Sequence, residues 1–129
     1  MALVADVEGR AGLYAQAMAH VDDALRQVED TGWRWYEPEL HRLRGKLVAR
    51  LGGDASAAEA MLGDALGLAH RQTARMWELR AATSLAGLWA GRGERAKAYD
   101  LLAPIYGWFT EGFDTPDLRD ARALLDALQ

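Results

Sequence analysis

Ala17-Met18-Ala19-His20-Val21-Asp22-Asp23-Ala24 and Ala58-Glu59-Ala60-Met61-Leu62-Gly63-Asp64-Ala65 carry one pattern 41 residues apart. A small residue is followed four positions on by a bulky aliphatic one and three further on by a second alanine. A third copy, Ala98–Leu102–Ile105, follows after another 40 residues, with isoleucine in the last place. Gly12, Gly53 and Gly93 stand just before the three copies. Steps of four and three put all three positions on one face of an α-helix. Self-similarity at such a period is the mark of stacked supersecondary units. The pattern therefore predicts antiparallel helix pairs piled in a row, none able to bury its apolar stripe alone. Alanine lets neighbouring backbones approach, and the bulky residue fills the groove beside it. Ala65→Trp is expected to overpack such a joint at a cost of about 1–3 kcal/mol.

Composition agrees with this class. The chain has 129 residues, half of them hydrophobic, which suits one domain with a continuous core. A net charge of −4 and a pI near 5.3 argue against a nucleic-acid binder. With no cysteine, disulfides and cysteine-ligated zinc or iron–sulfur sites are excluded. No apolar run approaches the roughly 20 residues that span a bilayer. Met1-Ala2-Leu3-Val4 lacks the features of a signal peptide, and a cytoplasmic location is expected.

The elements read as follows. Residues 1–8 are the tail of a helix, and Gly9-Arg10-Ala11-Gly12 is a turn. Helices are expected over residues 13–30, 36–51, 55–72, 76–91 and 94–107, with a last one over 116–128. Leu40, Leu43, Leu47, Val48 and Leu51 form the stripe of the second. Gly32 is placed as the left-handed residue closing the first. Thr73-Ala74-Arg75 is a short link. Pro104 inside a helix cannot donate to the Asp100 carbonyl and predicts a kink or early end. Thr115-Pro116-Asp117 reads as N-cap, first helical residue and an acid in the first turn. Leu118, Ala121, Leu124, Leu125 and Leu128 share one face of the last helix, against Arg119, Asp120, Arg122 and Asp126 on the other. One greasy and one charged face befits a helix that closes a stack.

These residues resemble the tetratricopeptide repeat family. The small–bulky–small triad of that family's second helix is matched at Ala17, Val21, Ala24 and at Ala58, Leu62, Ala65, with Ile105 a departure in the third copy. Tyr14 falls on the family's aromatic position. Gly45 and Ala86 fall on the small position of its first helix, with Val48 and Trp89 as the bulky ones. The period of about 40 exceeds the usual 34 or so. The stretches Glu39–Gly45, Trp77–Ala86 and Tyr106–Leu118 are similar to the C-terminal end of bacterial predicted ATPases and class III adenylate/guanylate cyclase-type regulators. The resemblance implies an all-α fold: a right-handed α-α superhelix of about three helix pairs (1–30, 36–72, 76–108) plus a capping helix. It also implies a single domain over 1–129 that is the C-terminal part of a longer protein, and the half-helix at residues 1–8 points the same way. The implied role is a non-catalytic scaffold docking a protein partner or other domains of the parent chain. The alternative is a repeat domain that senses a small-molecule effector.

Candidate sites are few. Asp30-Thr31-Gly32 spells an aspartic-protease triplet, but it occurs once and at a helix end, so it reads as a cap. His20, His41 and His70 stand apart and read as solvated. Glu37 and His41 are four apart, though Pro38 is expected to distort that turn. No metal site and no cofactor are expected, and Gly45-Lys46-Leu47 lacks the makings of a nucleotide-binding loop. Nothing in the sequence assembles an enzyme's catalytic set. In the family, first helices line a concave surface. Glu39, Arg42, Lys46 and Arg50 would then face Arg80, Thr83 and Gly87 across a mildly basic groove suited to an acidic peptide. Lys46 and Gly87 replace the asparagines of carboxylate-clamp members, so capture of a peptide C-terminus is not implied. Trp33, Trp35, Tyr36 and Trp77, and separately Trp108, Phe109 and Phe113, are expected to wedge successive repeats together. If a neighbouring repeat is missing, Leu3, Val4 and Val7 could pair with a second copy.

Overall fold

The computed structural model describes residues 11–32, 36–51 and 54–129. It is all-α, with six helices and no strand among the described residues. They are α1 (Ala11–Thr31), α2 (Glu37–Arg50), α3 (Ala55–Arg71), α4 (Arg75–Gly91), α5 (Arg95–Tyr106) and α6 (Pro116–Leu128). The helix expected at residues 1–8, the turn glycine Gly53, and the pairing surface of Leu3, Val4 and Val7 lie outside the described residues. So do Trp33 and Trp35.

Local chemistry sets the helix ends. α1 closes on Gly32, whose φ of +74° is the left-handed conformation that glycine tolerates. Its amide donates to the Val28 carbonyl at 2.8 Å. Asp54 caps α3 by accepting from the Ser56 amide at 2.9 Å. The α4–α5 turn is a Schellman closure. Gly93 is left-handed at φ +83°, and Glu94 donates back to the Trp89 carbonyl at 2.9 Å. The α3–α4 turn repeats this closure, with Ala74 donating to the Ala69 carbonyl at 2.9 Å. There the left-handed position is filled by Thr73 at φ +56°. What reads in sequence as a plain link is a strained cap.

Each helix packs on the next, and α2 and α6 both also pack on α4. The triad positions do the packing. Ala58, Leu62 and Ala65 are buried, as are Ala98, Leu102 and Ile105. Ala17 and Val21 are buried as well, while Ala24 is half-buried. Gly45 is required where it stands. A Cβ there would lie 3.0 Å from Leu62 Cγ and 3.3 Å from the Ala58 carbonyl oxygen, so α2 and α3 touch almost backbone to side chain. Two apolar clusters result. One joins Tyr14, Val21 and Val28 to Leu40, Leu43 and Leu47. The other joins Leu79, Ala82 and Ala86 to Leu102, Ile105, Leu118 and Leu125.

Some expectations need correction. Gly12 lies within α1 rather than in a turn. Leu51 caps α2 and is exposed instead of completing its stripe. Thr115 occupies the N-cap position of α6, but its hydroxyl donates to the Gly112 carbonyl and caps nothing. Pro104 sits on the exposed side of α5, the shortest of the six at 12 residues, which ends two residues later. The cost of the proline is thereby confined to the last turn.

Candidate functional site: a cleft across alternate helices

The layer formed by α2, α4 and α6 carries a cleft of about 810 Å³. All seven residues expected to share a groove line it: Glu39, Arg42, Lys46 and Arg50 from α2, and Arg80, Thr83 and Gly87 from α4. The spacing explains the convergence. Steps of three and four along α2 keep its residues on one face, and a shift of about one repeat along the chain brings the α4 set beside them. Sequence reasoning missed the third side. Asp117, Asp120 and Leu124 of α6 complete the lining, with Ser84 and Leu88 from α4 and Leu62 below. The sequence divides these α6 residues, with Leu124 on the apolar face and Asp120 on the charged one, whereas at steps of three and four Asp117, Asp120 and Leu124 all turn to the cleft. That shared face was not legible, because Asp117 reads equally well as an ordinary first-turn acid.

At one end of the cleft a chain of ion pairs crosses the three helices. Glu39 is buried, with only 4% exposure. Its two carboxylate oxygens accept from Nε and Nη2 of Arg42, each at 2.7 Å. Arg42 Nη1 then donates to Ser84 Oγ at 3.1 Å. Arg80 donates to Glu39 at 3.1 Å through Nη1, and to both oxygens of Asp117 at 2.9 Å through Nε. It also stacks 5.0 Å from the Trp77 ring centroid. Burial alone would lower the pKa of Arg80. The hydrogen bonds to Asp117 and the charges of Glu39 and Asp117 outweigh it and hold the value above the ordinary one. Buried carboxylates persist only when paired in this way.

This pairing changes the charge of the cleft. The basic residues on α2 were legible, but Arg42 is neutralised by Glu39. Arg50 donates to the Tyr14 hydroxyl at 2.9 Å. Opposite them stand two aspartates of α6. The cleft is thus bipolar rather than uniformly basic, with cations along α2, acids on α6 and, beyond the paired Arg80, the neutral Thr83, Ser84, Gly87 and Leu88 of α4 between them.

The other candidates resolve simply. Thr31 ends α1, its hydroxyl donating to the Gln27 carbonyl, so Asp30-Thr31-Gly32 is a helix terminus. His20 is exposed. His41 reaches Glu37 at 3.3 Å, because Pro38 in the first turn leaves that turn helical rather than distorting it. His70 is mostly solvated, but its Nδ1 lies 3.0 Å from Glu78, the second buried carboxylate. Among the described residues no group of three metal-ligating side chains assembles. No described helix is long and apolar enough to cross a membrane. Tyr36 meets Trp77 edge-on at 5.6 Å. Tyr106 meets Phe113 at 5.7 Å, and Arg75 lies 4.5 Å from the Trp108 centroid. The aromatic residues do bridge neighbouring elements, though Trp108 and Phe113 keep over two-fifths of their surface exposed. Neither family models, curated proteins nor solved structures provide a match to this chain.

Proposed function

We propose that this chain is a tetratricopeptide-like docking module. In this reading the helix pairs form a right-handed α-α superhelix with a period of about 40, closed by α6. The module is non-catalytic and belongs to a bacterial signalling ATPase or cyclase-type regulator. Its cleft holds a protein partner or a neighbouring domain of the same protein. The observation that carries this reading is the convergence on one open cleft of residues from α2, α4 and α6. Alternate helices contribute side chains, as stacked hairpins require, and no nucleophile–base pair or metal cluster accompanies them among the described residues.

Photocrosslinking tests the docking role. An amino-acid photocrosslinker placed at Lys46 or Gly87 should capture one discrete partner segment in cells, and the same group at the outward-facing Arg26 should not. Equal capture from both faces counts against a docking cleft. The purified chain is expected to hydrolyse no ATP, and robust turnover would overturn the scaffold reading.

A small-molecule effector is the second reading, because the cleft volume lies within the range of roughly 300–1,000 Å³ typical of ligand pockets. It predicts a compound-dependent rise in melting temperature that disappears in Gly87→Leu.

A further inference from the structure

We propose that the cleft selects a dipolar peptide segment, one presenting a carboxylate to α2 and a cation to α6. This inference rests on the docking reading and specifies its ligand. Three observations carry it. First, the two walls differ in sign. Lys46 and Arg50 project from α2, and Asp120 from α6. Second, the residues between them are small and neutral: Thr83 and Gly87 of α4. A Cβ built on Gly87 meets nothing within 4 Å, so the space above it is open to a ligand backbone. Third, the charges inside the cleft are unequally engaged. Glu39, Arg42, Arg80 and Asp117 satisfy one another at one end. Asp120, exposed on α6, belongs to none of those pairs. A purely acidic peptide would meet Asp120 as a like charge, which disfavours it. A peptide bearing both signs satisfies both walls.

A displayed library of random dodecapeptides, selected on the immobilised full chain, tests this. Gly87→Leu serves as the control, since a Cβ there meets nothing within 4 Å and the added side chain takes up cleft space, and circular dichroism checks its helicity. The expected result is enrichment, on wild type only, of sequences carrying an acidic and a basic residue at separate fixed positions. Synthetic versions should lose at least tenfold in affinity when the basic residue becomes glutamate. In Asp120→Lys that order should reverse, with the all-acidic peptide preferred. Enrichment of purely acidic sequences, or an unchanged preference in Asp120→Lys, overturns the dipolar ligand and leaves the docking reading standing. Absence of any enrichment over Gly87→Leu overturns both.

Discussion

Three residues show how one atom of side chain decides the local outcome. Gly45 and Gly87 both lie inside continuous helices, where glycine costs about 1 kcal/mol relative to alanine. Only Gly45 has a packing reason, since Leu62 and the Ala58 carbonyl occupy the space of its Cβ. Gly45→Val should therefore destabilise by about 1–3 kcal/mol through overpacking. Gly87→Ala should stabilise by roughly 0.5–1 kcal/mol. Urea denaturation of the pair checks both, and a loss of stability in Gly87→Ala would mean that hidden packing holds that position. Thr73 is the complementary case. A β-branched side chain at φ +56° sits in a region that disfavours it, and the equivalent turn uses Gly93. Thr73→Gly is expected to raise stability by about 1 kcal/mol, relieving left-handed strain while the Schellman hydrogen bonds remain. An unchanged denaturation midpoint would show that strain here is already relaxed.

At the scale of elements, α4 and α6 share apolar packing, and the chain of contacts that crosses α2, α4 and α6 together is polar. Glu39→Ala strands the Arg42 guanidinium beside an emptied buried site and leaves Arg80 with Asp117 as its carboxylate partner. It should cost about 3 kcal/mol, in the range of broken buried pairs. Glu39→Leu combined with Arg42→Met should recover much of that loss, because removing both charges leaves nothing unpaired. If the double variant is as unstable as the single one, the ion pair is not the source of the cost. These elements also mark where sequence reading succeeded and stopped. Helix positions followed from apolar spacing, since a stripe at steps of three and four has one buried solution. Gly45 and Ala86 were legible as small positions through the resemblance to tetratricopeptide repeats. The basic face of α2 was legible because Arg42, Lys46 and Arg50 stand at steps of four. The pairing of Arg80 on α4 with Asp117 was not, because Asp117 lies two helices away and a local window cannot say which carboxylate a distant arginine meets. The Thr115 hydroxyl likewise turned to Gly112, a choice made by the conformation of the preceding loop rather than by the cap motif.

For the whole molecule, the proposed stack of helix pairs should titrate and unfold in parts. Arg92, in the turn after α4, reaches back to Glu59 on α3, and Lys97 on α5 stands near the same carboxylate. The Arg92 hydrogen bond, aided by the Arg92 and Lys97 charges, holds the Glu59 pKa below its ordinary value of 4.5. A depressed carboxylate pKa stabilises the fold above the unfolded-state pKa. Its contribution fades as pH falls from about 4.5 through the lower folded value. Glu59→Gln should flatten the acid limb of the stability profile in that window and lower the neutral-to-alkaline plateau without changing its shape. An identical acid limb in the variant would remove Glu59 from the account. Unfolding itself should be graded. Among the described residues α4 packs on α2, α3, α5 and α6, whereas the extensive contacts of α1 are with α2 alone. The apolar residues divide accordingly into an N-terminal cluster and a C-terminal one. Stability in stacked repeats is a sum of unit and nearest-neighbour terms, so the end with fewer neighbours opens first. Native-state hydrogen exchange should find the amides of Leu79–Leu85 exchanging only through global unfolding. The amides of Ala17–Val28 should exchange through an earlier opening with a lower free energy and a smaller dependence on denaturant. A closed bundle with one indivisible core would give both segments the same free energy and the same slope, and that result would remove the stacked-repeat reading at its root.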